Sequence, residues 1–209
     1  TFENYVSKLN IENNTLVSRE SFLEIILDNA PKNSIIISTT GKTSREIFEL
    51  REKKSNSHSR DFLTVGSMGH CSSIALGIAI KKPKCKILCI DGDGSLIMHM
   101  GSLSTIGQLA PKNFYHILIN NYAYESVGGQ PTSSEKIVLD KIARYNGYNR
   151  VFSITDLDEL KDKIPDFFNI KGPCFLELIS KIGSRKNLGR PNIKPIDNKV
   201  SFMDHLKSL

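Results

Sequence analysis

Two short polar motifs, each at the end of an apolar run, constrain this chain more than any other feature of its sequence. Asp91-Gly-Asp-Gly-Ser95 follows the apolar segment 86–90, and Asn120-Asn121 follows the apolar segment 115–119. Each apolar run predicts a buried strand, and residues 95–109 between them have helical character. The pattern therefore predicts a β-α-β unit, whose parallel strands bring both polar ends to one edge of a sheet, where open α/β folds bind their ligands.

The polar residues at this predicted edge suit a metal ion and a phosphate. Asp93 and Asn121 would offer a carboxylate and an amide oxygen, which a main-chain carbonyl and diphosphate oxygens would complete to an octahedral Mg²⁺ shell. Gly92 and Gly94 would let the backbone turn tightly beside a ligand. The helix that follows would direct free N–H groups to a phosphate. The alternative is a plain glycine-rich turn beside an unrelated asparagine-rich loop, but the strand context of both motifs favours the metal site.

Composition predicts a globular protein with a substantial core, since 39% of the 209 residues are hydrophobic and 24% are charged. The four cysteines have neither C-x-x-C spacing nor the density of a disulfide framework, so we expect reduced thiols, mostly in the core, in a cytoplasmic protein. The net charge of +6 is scattered, and no recognition motif for nucleic acid accompanies it. A positive field that attracts a polyanionic cofactor and an acidic substrate explains that charge equally well. We expect no membrane span, because no apolar run is long enough.

Apolar segments that alternate with helical segments predict the fold class. We predict strands over residues 34–38, 61–65, 86–90, 115–119, 150–154 and 174–179, and helices over residues 18–29, 44–53, 71–80, 95–109, 134–145, 156–168 and from 199 onward. This alternation predicts an α/β fold of three layers, in which a mainly parallel six-stranded sheet carries helices on both faces. Residues 122–131 are predicted to form a long glycine-bearing loop over the same sheet edge.

The N-terminal segment has a different character from the rest of the chain. Residues 1–17 are polar and rich in asparagine, and the chain begins with Thr1 rather than with methionine. We expect a linker over residues 1–17 and one domain over residues 18–209.

The motif at 91–95, followed at this distance by two asparagines, resembles the cofactor signature of thiamine-diphosphate enzymes. Further segments resemble one family of that class, the phosphonopyruvate decarboxylases: Ser38–Arg45, Gly66–His70, Met98–Gly101, Glu125–Thr132 and Gly183–Pro191. The likeness extends from about Ser18 to the end of the chain. The sister family of sulfopyruvate decarboxylases shares the cofactor motif but is less similar around Thr40–Arg45.

The resemblance implies a thiamine-diphosphate-binding fold that holds the cofactor together with Mg²⁺. It implies that Asp93 and Asn121 bind the metal through their side chains and Ala123 through its carbonyl. It also implies that Met68 holds the two cofactor rings in a V, although a methionine in an ordinary core is the alternative. The implied cofactor-binding residues are Thr39, Thr40, Gly41, Gly66, Ser67, Met68, Gly92, Asp93, Gly94, Ser95 and Asn121.

Candidate catalytic residues are Met68 under the cofactor and Glu125 and Ser126 just past the metal ligands. Four basic residues are candidates for holding the substrate anion, with a solvated surface position as the alternative for each: Lys42, Arg45, Arg185 and Arg190. Tyr124 departs from the family pattern, which has a histidine there. A tyrosine does not titrate near neutral pH, which puts a proton-transfer role at this position in doubt.

The resemblance implies decarboxylation of 3-phosphonopyruvate to phosphonoacetaldehyde and CO₂, a lyase reaction of phosphonate biosynthesis, by a homo-oligomer. The alternatives are the β subunit of a sulfopyruvate decarboxylase and a cofactor-binding module without turnover. In the family, the glutamate that activates the cofactor belongs to a separate pyrimidine-binding domain, in cis or from a partner subunit. We therefore predict that residues 1–209 alone are inactive.

Overall fold

Six parallel strands form the central sheet of the computed structural model, which describes residues 17–209. The strands are β1 (Ile35–Ser38), β2 (Asp61–Leu63), β3 (Ile87–Gly92), β4 (Phe114–Asn120), β7 (Arg150–Ile154) and β8 (Cys174–Ile179), and the sheet order is β2-β1-β3-β4-β8-β7. Two short strands, β5 (Ala123–Tyr124) and β6 (Gln130–Pro131), pair separately as an antiparallel ribbon. The predicted linker over residues 1–17 lies outside the described residues, except for Val17.

Helices cover both faces of the sheet, so the predicted three-layer α/β fold is confirmed. The helices are α1 (Arg19–Asn29), α2 (Lys42–Lys53), α3 (Cys71–Lys81), α4 (Asp93–Met98), α5 (Ser102–Leu109), α6 (Leu139–Tyr145), α7 (Leu157–Phe167) and α8 (Pro195–Ser208). On one face, α1, α2 and α7 pack against strand residues such as Ile36 and Ile90. On the other face, α3, α5, α6 and α8 pack against residues such as Ile37 and Leu118. Because the sheet is buried on both faces, its strands are apolar at successive positions.

The order in which the strands are added to the sheet changes direction at β1. The chain passes from β1 to β2 on one side and then returns to β3 on the other side. Such a reversal separates the loops that leave the carboxyl ends of two neighbouring strands, here β1 and β3, and opens a crevice between them. The polar motif that follows β3 therefore lies beside the turn at residues 39–41, which follows β1.

Four predicted elements differ from the structure. The helix predicted over residues 95–109 is two helices, because the chain breaks at 99–101, where the His99 ring packs against Gly69 and lies 4.3 Å from the His70 ring. The helix predicted over 134–145 begins only at Leu139, since residues 133–135 form a separate 3-10 turn. The predicted loop 122–131 contains the β5–β6 ribbon, and the last helix begins at residue 195 rather than 199.

The cysteines behave as predicted. All four are free; Cys71, Cys89 and Cys174 are buried, and Cys85 is half-buried. Among residues 17–209, no helix combines the length and the apolar composition that a membrane crossing requires.

Candidate active site

A cavity of about 260 Å³ opens at the carboxyl ends of β1, β3 and β4. It brings together thirteen of the residues that the sequence singled out, from four separate segments: Thr39, Thr40, Gly41, Lys42, Met68, Gly92, Asp93, Gly94, Ser95, Asn121, Ala123, Glu125 and Ser126. Arg19, Thr43, Ile119, Tyr124 and Val127 complete its lining. The crevice expected from the strand order therefore exists, and the two polar motifs meet in it.

Five predicted residues lie outside this lining. Gly66 and Ser67 form an exposed turn with φ values of 75° and 47°, where the Gly66 amide donates to the hydroxyl of Thr40 at 3.1 Å. Arg45 and Arg190 line a neighbouring cavity of about 280 Å³, which shares Thr40 and Gly41 with the first.

Arg185 is the one predicted substrate residue that the structure takes away from both cavities. Its guanidinium pairs with Glu49 and with Glu20, at 3.1 Å from the Glu20 carboxylate. These carboxylates belong to α1 and α2 and neutralise the arginine there. Its predicted contact with the substrate stays a prediction.

Asp93 is a buried carboxylate without a cationic partner among residues 17–209. It is 3% exposed, and its Oδ2 accepts hydrogen bonds from the Thr132 hydroxyl at 2.5 Å and from the Ser134 hydroxyl at 2.8 Å. Burial raises the pKa of Asp93, and these hydroxyls offset only part of that rise. A buried charge that is hydrogen-bonded but not neutralised is costly, so this position suits a bound cation.

The two asparagines that follow β4 have different surroundings. Asn120 is held inside the protein, because its Nδ2 donates to Glu177 Oε1 at 2.8 Å and its Oδ1 accepts from the Ser134 hydroxyl at 3.1 Å. Asn121 lines the cavity, and its Oδ1 accepts from the Ala123 amide at 3.1 Å. The first asparagine braces the segment that also holds Asp93, and the second presents its amide to the cavity.

These donors fit a magnesium ion. A carboxylate, a side-chain amide and a main-chain carbonyl are the oxygen ligands that Mg²⁺ accepts, and the positive charge would neutralise Asp93. Asp93, Asn121 and Ala123 all line the one cavity. The donor set and the uncompensated carboxylate together satisfy the chemical requirement of the predicted metal.

A network of four charged side chains lies beside these donors and was not predicted. Arg19 is 4% exposed and binds Glu46 through two hydrogen bonds, from Nε at 2.6 Å and from Nη2 at 2.8 Å. Its remaining nitrogen, Nη1, donates to Glu125 at 2.7 Å, and Lys42 Nζ donates to the other oxygen of Glu125 at 2.7 Å. Burial alone would raise the pKa of Glu125, but the charges of Arg19 and Lys42 bring it below its ordinary value.

Two glycines of the cavity make room for neighbouring side chains. A Cβ on Gly94 would overlap the ring of Tyr124, and a Cβ on Gly41 would lie 2.6 Å from the Ser126 hydroxyl. Gly41 also has a φ of 98°, which favours glycine. The loop that carries Tyr124 and Ser126 can therefore close on the β1 and β3 motifs only because glycines stand opposite it.

Asp91 does not contribute to the cavity, although it belongs to the same motif as Asp93. It is fully buried on the α3 face of the sheet, beside Cys71 and Cys89, and its Oδ2 lies 3.6 Å from His116 Nε2. Burial alone would lower the pKa of His116, but Cys89 and Asp91 raise it to about 9. The two aspartates of the motif therefore have different surroundings: Asp91 is buried under α3, and Asp93 lines the cavity at the carboxyl edge of the sheet.

The class of protein now follows from comparison with known families. Residues 39–178 match the C-terminal TPP binding domain of the thiamine pyrophosphate enzymes. The matched segment contains both polar motifs and nearly the whole cavity. The chain belongs to this family, which confirms the family predicted from the motifs.

Two curated relatives show which members of the family this chain is similar to. The chain is 36% identical over 180 residues to the phosphonopyruvate decarboxylase of Streptomyces viridochromogenes, a match that covers 86% of this chain and 44% of that protein. It is 33% identical over 190 residues to the sulfopyruvate decarboxylase subunit beta of Methanocaldococcus jannaschii, covering 90% of this chain and 97% of that subunit. The chain therefore spans less than half of the first relative and nearly all of the second.

A solved structure agrees with the fold. The crystal structure of benzoylformate decarboxylase from Polynucleobacter necessarius superposes with a TM-score of 0.66 and 15% sequence identity, covering 81% of this chain and 34% of that protein. At this identity the likeness concerns the fold alone.

Proposed function

We propose that this chain forms the diphosphate- and metal-binding part of a thiamine-diphosphate-dependent decarboxylase. Its proposed substrate is 3-phosphonopyruvate, which gives phosphonoacetaldehyde and CO₂. The observation that carries the proposal is a single cavity whose lining includes the buried Asp93 carboxylate, which no cation pairs with among residues 17–209, and the cations Arg19 and Lys42. Such a cavity offers one place for a metal-bound diphosphate and another for an acidic substrate.

In this proposal the residues at the strand ends hold the cofactor. Asp93, Asn121 and Ala123 would bind Mg²⁺, while the backbones of 39–41 and 92–95 would surround the diphosphate. Met68, which lines the cavity from the turn between two glycines, would contact the cofactor rings. When bound, thiamine diphosphate supplies the electron sink that decarboxylation of a 2-oxo acid requires.

The remaining cavity residues would act on the substrate. Lys42 and Arg19 supply positive charge against its acid groups, and Ser126 places a hydroxyl opposite Gly41. Tyr124, Ile119 and Val127 add apolar surface to the lining of the cavity. Low local polarity strengthens each charge interaction inside the site.

A sulfopyruvate decarboxylase β subunit is the second candidate, and one observation favours it. The match to the subunit beta of Methanocaldococcus jannaschii covers 97% of that subunit, whereas the phosphonopyruvate relative is more than twice as long as its matched part. In both candidates, the carboxylate that activates the cofactor would come from a pyrimidine-binding domain, in cis or from a partner subunit.

The test is a decarboxylase assay of the full-length gene product with its pyrimidine-binding domain present. Phosphonopyruvate and sulfopyruvate are compared side by side, and the ratio of their kcat/KM values decides between the two candidates. Residues 1–209 alone should bind Mg²⁺ and thiamine diphosphate without turnover. Cofactor binding without turnover of either acid by the complete protein would favour a non-catalytic module instead.

A further inference from the structure

The cation pair Arg19 and Lys42 is already occupied by an anion, the side chain of Glu125. Both oxygens of this carboxylate accept from cations at 2.7 Å, and Oε2 also accepts from Asn121 Nδ2 at 3.0 Å. Three converging donors around a carboxylate constitute an oxyanion site. Its occupant is a side chain of the same protein, inside the cavity proposed to take an acidic substrate.

Arg19 is held independently of Glu125. It is fixed by the paired hydrogen bonds to Glu46 and by the packing of α1, whose residues Phe22 and Leu23 are fully buried. Lys42 begins α2. Glu125 stands on a single 3-10 turn between the two-residue strands β5 and β6, and two glycines with positive φ values follow it. The two cations thus belong to helices, and the carboxylate that they bind belongs to a short ribbon.

The formal charges of the network show what changes when Glu125 leaves it. Arg19 and Lys42 carry two positive charges, and Glu46 and Glu125 carry two negative charges, so the network is neutral. If Glu125 moves away, one positive charge remains uncompensated beside two groups of N–H donors. That combination suits a tetrahedral oxyanion such as a phosphonate or sulfonate, which presents several oxygens to the donors at once.

We propose that Arg19 and Lys42 form the subsite for the terminal phosphonate or sulfonate of the substrate, and that Glu125 is a resident counter-anion which the substrate displaces. This inference rests on the proposed function, since it assigns a substrate group to the same cavity. It gives Glu125 a role as a competitor for the subsite. Part of the binding energy of the phosphonate or sulfonate is therefore used to displace Glu125 from the two cations.

The test measures binding of methylphosphonate by calorimetry to the full-length protein, with saturating thiamine diphosphate and Mg²⁺. Lys42→Met should weaken binding about tenfold or more, as expected for the loss of a charge-assisted hydrogen bond. Glu125→Gln should tighten binding by a similar factor, because the uncharged amide no longer competes. A merely structural role of Glu125 predicts no change or a loss. Lys161→Met, which removes an exposed cation of α7, is the matched control and should leave binding unchanged.

Three results would overturn the inference while leaving the proposed function intact. The first is unchanged or weaker methylphosphonate binding by Glu125→Gln. The second is loss of methylphosphonate binding when thiamine diphosphate saturates the protein, since the cations would then serve the diphosphate. The third is a loss in Arg45→Met but not in Lys42→Met, which would assign the anion to the neighbouring cavity. Failure of the protein to bind thiamine diphosphate with Mg²⁺ would instead contradict the proposed function itself.

Discussion

The Thr132 hydroxyl donates a hydrogen bond of 2.5 Å to Oδ2 of Asp93, which links the end of the β5–β6 ribbon to the first residue of α4. Ser134 donates to the same oxygen at 2.8 Å. These hydroxyls orient the carboxylate but carry no positive charge. Asp93 is therefore positioned for a cation at a cost to the stability of the metal-free protein, because burial without a counter-charge is unfavourable.

We predict that Asp93→Asn separates cofactor binding from folding. The parent should gain thermal stability from Mg²⁺ and thiamine diphosphate, by about 2.7 kcal/mol when the ligand is at a hundred times its Kd. Asp93→Asn should lose this gain, while its metal-free melting temperature stays level or rises because a buried charge is gone. Differential scanning fluorimetry with and without the ligands measures both. Asp158→Asn, on the surface of α7, should respond like the parent, and a full ligand response in Asp93→Asn would refute the metal assignment.

The Arg19–Glu46 pair should dominate the stability of the α1–α2 contact. Both residues are buried, at 4% and 1% exposure. Arg19 has a second carboxylate partner in Glu125, whereas Glu46 has no other cation within hydrogen-bonding distance among residues 17–209, so removing Arg19 leaves a buried charge uncompensated. Arg19→Met should therefore cost about 3–5 kcal/mol in urea denaturation. Arg19→Met combined with Glu46→Leu should recover most of that loss. If the double variant is no more stable than Arg19→Met, the pair is not the source of the effect.

His58 should make stability depend on pH. Asp61, 3.8 Å from Nδ1, and Glu52, 2.6 Å from Nε2, raise the pKa of His58 above its ordinary value. In the unfolded chain the pKa of His58 is about 6.5. The stabilisation that the charged His58 provides is therefore complete below that pH, and it is lost as pH rises through the higher pKa of His58 in the folded protein. The stability difference between the parent and His58→Asn should therefore shrink from pH 6 upward in urea titrations. Glu52→Gln should make that dependence shallower; a difference that is flat or grows with pH would contradict the assignment.

The fold and the metal donors could be predicted because their signals are local. The apolar runs before Asp91 and Asn120 predict β3 and β4 almost to the residue, since a strand buried on both faces needs apolar residues at successive positions. The break at 99–101 was harder to predict, because the contact that accompanies it, His99 against Gly69, joins residues thirty positions apart. Gly101, a poor helix former, was the local signal for this break.

Arg19 was missed for a related reason, although one signal was available. It lies at i, with Phe22, Leu23 and Ile26 at i+3, i+4 and i+7, so it occupies the apolar stripe of its helix. A charge on that stripe indicates a buried partner, but the partner, Glu46, lies 27 positions away and only the folded chain identifies it. The carboxylate partners of Arg185, Glu20 and Glu49, are likewise distant in sequence and leave no local signal.

The contact between Gly94 and Tyr124 gives the sharpest test of how the loop closes on the cofactor motif. Gly94 lies in the first turn of α4, where alanine is conformationally acceptable, so the penalty for Gly94→Ala comes mainly from overlap with the Tyr124 ring, with a smaller contribution from the Thr132 methyl at 3.2 Å. That overpacking should destabilise the protein by about 1–3 kcal/mol and weaken binding of thiamine diphosphate.

Removing the Tyr124 ring should relieve most of that penalty. The variant with both Gly94→Ala and Tyr124→Ala should be about as stable as Tyr124→Ala alone, which a double-mutant cycle in urea detects as a coupling energy. Gly92→Ala is the matched control, because its Cβ would lie 3.8 Å from the Thr39 methyl, an ordinary contact, and its φ of −115° suits any residue. It should change stability by no more than about 0.5 kcal/mol. If the two substitutions at 94 and 124 are simply additive, the tyrosine does not close on the glycine, and Tyr124 must contribute to the cavity in another way.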